Sequence, residues 1–456
     1  MTAMPAKTPQ TLSQRLEAAD VHTLLVQFTD VHGCAKGKLV PLAHLEDVLR
    51  LGAGFAGPSI WGTALPRTGP RAEYYARGDA TTARPLPWMP GLARIVGDGF
   101  VDGRPFESCP RQVLRRALAR LAERGWTMRI GIEPEFFLLR RTEGGGWAPA
   151  DAQDRLDKPS YDLQSLPRQL GFLQALQQSL TACGLDVLQI DHEDAHGQYE
   201  VNFAHDEALA SCDHLMLFKL AAQGLAEARG MVFSMMPKPF ADQPGSGLHF
   251  HVSLWQGERC LFAPESDLDP AADSGATLSP LGRHFIAGVL AHAPALCALA
   301  APTVNSYKRL TVGKSLSGTS WAPAVVAHGP NNRTATVRTL PGRFEWRLPD
   351  ASANPYLAAA TLIAAGLDGV DRGLDPGPDC HDDLFEQSPA RLRALGLPQL
   401  PQSLAQALAA LHADEVVRGA LGEPLAAEFI RLKSAEWTAY ARHVSAWELD
   451  RYAAAF

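Results

Sequence analysis

One short stretch, Gly131-Ile132-Glu133-Pro134-Glu135-Phe136-Phe137, constrains the fold more than any other part of the chain. Its apolar residues predict a buried, central β-strand. Side chains alternate between the two faces of a strand, so Glu133 and Glu135 should project from the same side, roughly 7 Å apart. Two carboxylates in such surroundings are costly without positive charge beside them. A salt-bridged pair and a cation site would both satisfy this requirement, and the other motifs must decide between them.

The bulk properties of the chain favour an ordinary globular protein. Its 456 residues suggest two or three folding units, and 46% hydrophobic against 20% charged residues allow a large core. The formal net charge of −7, with no run of lysine or arginine, argues against a nucleic-acid partner. Seven scattered cysteines without a Cys-x-x-Cys pair fit the reduced thiols of a cytoplasmic protein.

Two segments bear on export and on membranes. Residues 1–10 lack the apolar centre of a signal peptide, so we expect no export signal. Residues 285–301 are apolar, but the stretch is short and interrupted by His292 and Pro294. We therefore expect a buried helix there and no membrane partner.

Periodicity and turn signals divide the chain into a small α+β unit, residues 12–104, and a larger unit, residues 105–456. The small unit should contain a helix at 11–20, strands at 23–28 and up to residue 40, a helix at 42–51 and a Gly/Pro-rich loop at 52–70. The larger unit should contain strands near 186–191, 198–203, 232–235, 248–254, 334–339 and 343–347, and helices at 164–183, 207–229, 281–300 and 354–371. Its C-terminal third is predicted to be helical.

Two phosphate-binding patterns fail the test of context. Residues 52–57 match Gly-x-Gly-x-x-Gly, but they follow a helix instead of a strand, which argues against a dinucleotide site. Gly313-Lys314-Ser315 resembles the end of a P-loop, but Lys308 stands where the first glycine belongs. The chemistry must therefore come from other residues.

Further polar clusters accompany the two-carboxylate strand. Glu193 and Glu200 frame a glycine turn at the mouth of a predicted strand pair. His249, His251 and Ser253 share one face of another predicted strand, behind a Gly-Ser-Gly turn. A lone histidine would more often be a satisfied core residue, but two at this spacing indicate function.

Hard metal donors and arginines dominate these clusters. The donors are Glu133, Glu135, Glu193, Glu200, His249 and Glu345, a set that suits Mg²⁺ or Mn²⁺. The arginines are Arg309, Arg333, Arg338, Arg343 and Arg347, and guanidinium groups hold planar oxyanions. Phosphoryl transfer requires arginines beside such metal ions, so the composition of the site predicts ATP-driven chemistry on a carboxylate.

Several strings occur in a fixed order along the chain: Gly-x-Glu-x-Glu-Phe-Phe, His-Glu with Gly-Gln-x-Glu, Gly-Ser-Gly-x-His-x-His, Asn-Ser-Tyr-Lys-Arg, Asn-Arg-Thr-Ala and Arg-x-Glu-x-Arg-x-Pro-Asp. Together they resemble the glutamine synthetase family over nearly the whole length. The resemblance implies an α+β fold, with an N-terminal β-grasp domain at 12–104 and a catalytic domain at 105–456 that has a curved antiparallel sheet and helices. It also implies a homo-oligomer of stacked rings, a dodecamer, with active sites between subunits.

The resemblance implies a role for each matching residue. Glu135, Glu193 and Glu200 would bind the metal ion nearer the amino acid, and Glu133, His249 and Glu345 the ion that bridges the ATP phosphates, with two or three ions per site. Phe203, His251, Ser253, Arg333, Arg338 and Arg343 match nucleotide contacts, whereas Glu135, Gly245, Arg309, Arg333 and Arg347 match the side that binds glutamate. Arg333, Glu345 and Arg347 would serve catalysis.

The implied reaction has two steps. The γ-carboxylate of glutamate attacks ATP to give γ-glutamyl phosphate, and an amine then displaces phosphate. Metal ions and arginines would serve by positioning the reactants and neutralising charge. The chain itself would do little covalent work.

The ammonium pocket of the family is altered in this chain. Ammonia-using members carry aspartate in the loop Phe-Asp-Gly-Ser-Ser, whereas this chain reads Phe55-Ala56-Gly57-Pro58-Ser59. The flap glutamate that precedes Ala-Pro in the family is replaced by Trp321. An anionic pocket attracts a small cation, and an aromatic one accommodates an N-alkyl or aryl group. Trp321 is therefore a predicted contact of the acceptor.

Other departures affect single assignments. Pro244 stands where an asparagine usually precedes Gly-Ser-Gly, and Leu188 stands where a nucleotide-side glutamate is expected. Phe385 corresponds roughly to a tyrosine that is adenylylated in some relatives, so we expect no such regulation. The flap sequence, Ser317-Gly318-Thr319-Ser320-Trp321, is similar to that of one branch of the family, which contains γ-glutamylmethylamide synthetases (glutamate–methylamine ligases) and third-type synthetases. We expect a glutamate–amine ligase acting on methylamine or another small primary amine.

Other functions stay open on the sequence alone. A glutamine synthetase using ammonia and a γ-glutamyl ligase for a larger or aromatic amine would share the same metal site. A catalytically inactive, ring-forming relative should have lost metal ligands, yet all six are present. A metal hydrolase would need its His-x-His pair on the first strand of a (β/α)₈ barrel, whereas His249 lies in the middle of this chain. A guanidino kinase gives no role to His249.

Overall fold

The computed structural model describes residues 10–264, 278–311 and 320–456. The strands are β1 (Thr23–Thr29), β2 (Ala35–Pro41), β3 (Ala53–Ala56), β4 (Glu73–Gly78), β5 (Arg84–Pro85), β6 (Leu92–Val101), β7 (Arg104–Pro105), β8 (Thr127–Arg141), β9 (Trp147–Pro149), β10 (Val187–His192), β11 (Gln198–Phe203), β12 (Asp206–Glu207), β13 (Val232–Ser234), β14 (Leu248–Gln256), β15 (Arg259–Cys260), β16 (His328–Pro330), β17 (Val337–Leu340) and β18 (Arg343–Trp346). The helices are α1 (Leu12–Ala18), α2 (Leu45–Arg50), α3 (Pro110–Ala122), α4 (Leu170–Ala182), α5 (Ala208–Glu227), α6 (Pro280–Ala291), α7 (Ala293–Ala300), α8 (Pro355–Arg372), α9 (Pro389–Ala394), α10 (Leu404–Ala413), α11 (Glu415–Leu421), α12 (Glu423–Ala441) and α13 (Ala446–Tyr452).

The first sheet combines one parallel pair with antiparallel neighbours. Its order is β2-β1-β6-β4-β3, and β5 and β7 also pair with β6. β1 and β6 run parallel, whereas β2 pairs antiparallel with β1. Alternate residues of β1, Leu24, Val26 and Phe28, are buried in a core that includes Tyr74 and Ile95. The other side of this pair, β2, is almost fully exposed.

The second sheet has β8 at its centre. Its order is β10-β11-β8-β14-β18-β17-β16, and every pair along this path is antiparallel except β16 with β17. Burial alternates along the first half of β8, where Met128, Ile130, Ile132 and Phe136 are at most 1% exposed. This strand was predicted from its apolar residues, and its position between β11 and β14, both shorter than β8, confirms that it is central. The predicted α+β fold class, with a mainly antiparallel sheet in the larger unit, is confirmed.

Helices cover the side of this sheet away from the acidic residues. α8 is buried along most of its length and packs against α3 and α6, while α5 packs on β8. Asn354 begins α8 by accepting hydrogen bonds from the backbone N–H groups of Tyr356 and Leu357, at 3.1 and 3.3 Å. Its side-chain amide also donates to the carbonyl of Asp30 at 2.9 Å, which ties the turn after β1 to this helix.

A buried arginine of α3 connects the first sheet with α5, the helix that packs on β8. Arg111, 3% exposed at its side chain, donates to Asp213 at 2.7 Å, to Asp98 at 2.8 Å and to Asp79 at 3.0 Å. A guanidinium with three carboxylate partners is well compensated for its burial. The division of the chain into domains at residue 104 stays a prediction.

Some predicted elements differ from the structure. The single helix expected at 281–300 is two helices, α6 and α7, bent by 74° at His292, because Pro294 at the start of α7 cannot continue an α-helical hydrogen-bond ladder. The loop expected at 52–70 contains the short strand β3. The strand expected at 334–339 begins only at Val337. The motif Gly313-Lys314-Ser315 and the flap residues 317–319 lie outside the described residues.

Within the described ranges, no helix is by itself long and apolar enough to cross a membrane. α6 and α7 would qualify only as a bent pair, by length and composition. Most side chains of both helices are buried inside the protein, as expected from the sequence.

His292 at the bend connects three helices. Its Nδ1 lies 2.6 Å from Oδ2 of Asp414, the residue that caps α11, and its Nε2 lies 3.0 Å from Oδ2 of Asp368 in α8. Burial alone would lower the pKa of His292, but these two carboxylates raise it above its ordinary value. The protonated imidazole therefore stabilises the folded chain.

Stability should depend on pH through this cluster. Because the folded-state pKa is raised, the contribution is complete below the unfolded pKa of about 6.5 and is lost as the pH rises through the folded value. We expect His292→Gln to lower the free energy of unfolding by about 2 kcal/mol at pH 6, and by less at pH 9. Thermal unfolding of both proteins at the two pH values measures this. His22→Gln, at a largely exposed histidine, is the control. An equal loss at both pH values would contradict the charged state assigned to His292.

Candidate active site

The central strand brings four predicted ligands onto one face of the second sheet. Glu133 and Glu135 lie on the same face of β8, as strand alternation predicts. Glu200 in β11 stands directly opposite Glu135, and His249 in β14 stands directly opposite Glu133. Residues opposite each other in antiparallel strands have Cβ atoms only about 4.5–5.5 Å apart. Residues of three strands that are far apart in sequence thus converge through sheet register.

The next strands complete the acidic face. In β18, Glu345 stands opposite His251 of β14, and its Oε1 lies 3.5 Å from Nδ1 of His249. The same Nδ1 lies 3.7 Å from Glu133 and 4.0 Å from Glu135. Nε2 of His251 lies 2.8 Å from Oε1 of Glu133. The imidazole of His249 is therefore at the centre of three carboxylates.

These side chains line one cavity of about 510 Å³. Glu193 reaches it from the turn between β10 and β11. All six residues that the resemblance predicts as metal ligands lie on its wall: Glu133, Glu135, Glu193, Glu200, His249 and Glu345. Arg333, Arg338, Arg347 and Trp321 line it as well.

Two carboxyl groups in the cavity are poorly compensated by the protein. Burial, followed by repulsion from Glu135, raises the pKa of Glu193 to about 8. Burial, followed by repulsion from Glu133 and Glu135, raises the pKa of Glu200 well above its ordinary value. A cation would relieve both effects.

Two other carboxyl groups are held as anions by their neighbours. Burial would raise the pKa of Glu345, but Arg347 and His249 lower it to about 2. Burial acts in the same way on Glu133, and the two histidines overcome it, so that its pKa is lowered. The donors therefore have an uneven charge balance that a bound cation would complete.

The donor set fits divalent cations. Glu133, Glu200 and His249 offer ligand atoms within 4.8 Å of one another, and so do Glu133, His251 and Glu345. Nε2 of His249 is buried and has no hydrogen-bond partner within the described structure, which leaves it free to ligate. Carboxylates with one imidazole suit Mg²⁺ or Mn²⁺. The grouping also places His251 beside the acids, although the sequence assigned it to the nucleotide.

A second cavity of about 490 Å³ adjoins the first. Its wall contains four of the predicted nucleotide contacts: Phe203, His251, Ser253 and Arg343. Glu133 and Asn202 line both cavities and thus mark their boundary. An extended ligand could place an apolar ring in one cavity and its phosphates toward the acids of the other.

The arginines occupy different depths. Arg338 donates to Oε2 of Glu345 at 2.8 Å, and Arg347 is hydrogen-bonded to Oε1 of the same residue. Arg309 is 2% exposed and does not line either cavity. It sits behind Gly245 and Gly247, where its guanidinium donates to the carbonyl of Leu348 at 3.4 Å. The predicted glutamate contacts Gly245 and Arg309 are therefore adjacent to each other but recessed.

Trp321 forms part of the cavity wall opposite the sheet. Its indole Nε1 donates to Oδ2 of Asp194 at 2.6 Å, and its carbonyl accepts from Arg347 at 3.2 Å. Its ring meets that of Phe385 edge to face, with centroids 6.4 Å apart. The residue that replaces a family glutamate thus contacts the Glu193 turn through its indole and a predicted catalytic arginine through its backbone carbonyl.

Several residues of the site were not assigned from the sequence. Asn202 donates to Oε1 of Glu200 at 2.9 Å, and Gln198 donates to Oε2 of Glu135 at 3.1 Å. Both share a strand face with Glu200, so alternation along β11 could have identified them. Ser160 and Tyr161 also line the cavity, but their loop carries no periodic signal that points to it.

Comparison with known proteins agrees with this geometry. The family model "Glutamine synthetase, catalytic domain" matches residues 107–452. A glutamate–methylamine ligase of Methyloversatilis universalis is 51% identical over 446 residues, which cover 98% of this chain and 99% of the relative. A glutamine synthetase of Rhizobium leguminosarum bv. phaseoli is 38% identical, with 93% and 95% covered. A solved GmaS/ADP complex has a TM-score of 0.88 at 37% identity and covers 97% of this chain and 99% of its own.

The fold and these matches define an ATP-dependent ligase that joins a carboxylate to an amine. The chain belongs to the glutamine synthetase family.

Proposed function

We propose that this enzyme ligates the γ-carboxylate of glutamate to a small primary amine, first of all methylamine, through γ-glutamyl phosphate. The observation that carries the acceptor assignment is Trp321 on the wall of the metal cavity, in place of a carboxylate. An indole face accommodates a methyl group and attracts a methylammonium cation. It attracts bare ammonium less strongly than a carboxylate does. The 51% identity to a glutamate–methylamine ligase supports the same assignment.

The residues of the acidic face would hold the metal ions. We assign Glu135, Glu193 and Glu200 to the ion near glutamate, and Glu133, His249 and Glu345 to the ion at the ATP phosphates. When bound, Mg²⁺ or Mn²⁺ would neutralise phosphate charge and help to align the transferred group. Two or three ions per site would match the number of donors.

The protein's own groups would orient the two substrates. Phe203, His251, Ser253 and Arg343 would hold the nucleotide in its cavity, and Arg333 and Arg338 lie where phosphates would reach the acids. Arg347 would fix the glutamate carboxylate and stabilise negative charge that develops during transfer. Gly245 and Arg309 would bind the rest of glutamate from behind the cavity.

The assembly and location complete the proposal. We infer a homo-oligomer of stacked rings, a dodecamer, in which the loop at 55–59 of one subunit approaches the acceptor end of its neighbour's site. Trp61, 60% exposed, and Leu39, 63% exposed, are large apolar residues at the surface of this unit, and a neighbouring subunit would cover them. The seven cysteines are all unpaired, which fits a reducing cytoplasm.

An amine panel tests the acceptor. ADP release and amide formation should be followed with glutamate, ATP, Mg²⁺ or Mn²⁺ and equal concentrations of ammonium, methylamine, ethylamine or benzylamine. We expect kcat/KM to be highest with methylamine, by about tenfold or more over ammonium, since one methyl group in a fitted pocket is worth about 1–3 kcal/mol.

The other outcomes separate the alternatives. A higher kcat/KM with ammonium than with every alkylamine would contradict the acceptor assignment and indicate a glutamine synthetase. A preference for benzylamine would indicate a ligase for larger amines. No ATP turnover with any amine, from a folded protein, would indicate an inactive relative, against the six ligands that line the cavity.

A further inference from the structure

Asp194 lies in the site but belongs neither to the predicted metal ligands nor to the predicted substrate contacts. It follows Glu193 directly in the turn between β10 and β11, and it lines the same cavity. Its two carboxylate oxygens have different partners. Oδ1 accepts a hydrogen bond from Oγ of Ser160, and Oδ2 accepts one from the indole Nε1 of Trp321 at 2.6 Å. Asp194 therefore connects a loop before α4 with the segment that carries Trp321.

Both loops that approach Asp194 have unusual backbone geometry. Trp321 has φ +53° and Tyr161, next to Ser160, has φ +62°. Residues other than glycine seldom adopt this left-handed conformation, and such strain persists where surrounding contacts enforce it. At Trp321 those contacts are the carboxylate of Asp194 on the indole and the guanidinium of Arg347 on the carbonyl. At Tyr161 the backbone N–H donates to the carbonyl of His192 at 2.9 Å.

An unsupported indole would not hold one orientation at this place. The Trp321 side chain is 41% exposed, so burial alone does not fix it. The ring contact with Phe385 is made through an edge at 6.4 Å and leaves the tilt of the indole free to change. The hydrogen bond to a charged oxygen is directional and stronger than one between neutral groups. The hydrogen bond to Asp194 is therefore the contact that determines which face of the indole is turned toward the cavity.

We propose that Asp194 is a positioning residue for the acceptor amine: it fixes the indole of Trp321 as the aromatic wall of the amine pocket, and Ser160 in turn fixes Asp194. The inference rests on the proposed function, since Trp321 matters as a wall only if the acceptor carries an alkyl group. The preference for an alkylamine would then require two residues, the aromatic ring and the carboxylate that orients it. A tryptophan introduced without that carboxylate would not be sufficient.

Four variants test the pair. Trp321→Phe keeps an aromatic ring but removes the indole donor together with part of the aromatic surface, and Asp194→Ala removes the acceptor. Asp194→Asn keeps one carbonyl acceptor, and the double variant combines the first two. KM and kcat are measured on the full-length oligomer for methylamine, ammonium, glutamate and ATP. The selectivity ratio, kcat/KM for methylamine over that for ammonium, is the main readout.

We expect Trp321→Phe and Asp194→Ala each to raise KM for methylamine by about tenfold, the value of one hydrogen bond to a charged group. Both should lower the selectivity ratio, with KM for glutamate and ATP nearly unchanged. The double variant should be no worse than the more impaired single variant, because both changes remove the same hydrogen bond. Asp194→Asn should restore part of the loss, since an amide oxygen still accepts from the indole.

Three results would overturn the proposal. They are a wild-type KM for methylamine in Trp321→Phe, multiplicative losses in the double variant, and equal increases in KM for glutamate and methylamine in Asp194→Ala, which would indicate a structural role. Failure of the proposed function is distinguishable from these results, because the wild-type enzyme itself would then have a higher kcat/KM with an acceptor other than methylamine. In that case the coupling between Asp194 and Trp321 is measured with the preferred acceptor, and additivity there still contradicts the positioning role.

Discussion

Glu345→Gln should abolish ligation, with a loss of about 10³-fold or more in kcat, equal to about 4 kcal/mol of transition-state stabilisation. Its carboxylate is 1% exposed, lies 3.5 Å from His249 and is hydrogen-bonded to both Arg338 and Arg347. Glutamine has the same shape but half the accepting oxygens and no charge. The substitution therefore weakens a proposed metal ligand and leaves two arginines without their anion.

The experiment must separate lost chemistry from lost folding. Breaking a buried ion pair costs about 3–5 kcal/mol of stability, so circular dichroism and thermal unfolding should establish that the variant is folded at the assay temperature. Binding of Mn²⁺, measured by electron paramagnetic resonance, should weaken in parallel with activity. Glu423→Gln, at an exposed carboxylate that pairs with Arg418, is the matched control and should keep full activity. More than a tenth of wild-type turnover in folded Glu345→Gln would refute its assigned role.

The two-carboxylate strand could be predicted because its signal is local. Alternation of apolar residues along β8 gives both its burial and the common face of Glu133 and Glu135. Alternation along β14 places His249 and His251 on one face in the same way. Physical reasoning on these strands predicts a cation site, and only the order of the motifs along the chain connected it to a family.

The register between strands could not be predicted from the residues alone. The pairing of Glu200 with Glu135 and of His249 with Glu133 follows from how β11 and β14 align on β8. A shift by one residue would turn every one of these side chains to the other face of the sheet. The family resemblance predicted that these residues converge, and in the structure all six predicted ligands lie on one cavity wall.

The missed contacts that no periodicity could have indicated come from loops. Ser160 and Tyr161 precede a helix by several residues and carry no periodicity, so nothing local connects them with Trp321, about 160 residues later. The break between α6 and α7 has a different origin. Apolar residues continue on both sides of His292, and the apolar pattern therefore concealed a bend that Pro294 imposes.

Gly247→Ala should reduce activity by at least about 10²-fold, because the added methyl group would press against three predicted site residues from behind the cavity. A Cβ on Gly247 would lie 2.6 Å from Nε2 of His249, 2.9 Å from the guanidinium of Arg309 and 3.0 Å from Oε1 of Glu135. Real Cβ atoms essentially never show contacts under 3.0 Å, so His249 and Arg309 must move, and Glu135 must give by a few tenths of an ångström. His249 is a proposed ligand of the metal ion at the ATP phosphates, and Glu135 is a proposed ligand of the ion near glutamate. Arg309 is a proposed contact of glutamate itself.

The expected signature is a combined defect. KM for glutamate should rise and the affinity for Mn²⁺ should fall together, whereas a substitution at a single ligand would alter mainly the metal. Gly144→Ala is the matched control, since its Cβ would meet no atom within 4 Å, and it should behave as wild type. The backbone N–H of Gly247 also donates to Oε2 of Glu135 at 2.8 Å, and alanine retains that donor, so the loss can be attributed to the methyl group. If Gly247→Ala bound glutamate and Mn²⁺ normally, the close approach of His249, Arg309 and Glu135 around this glycine would not be needed for the reaction, and the site would have to be built differently.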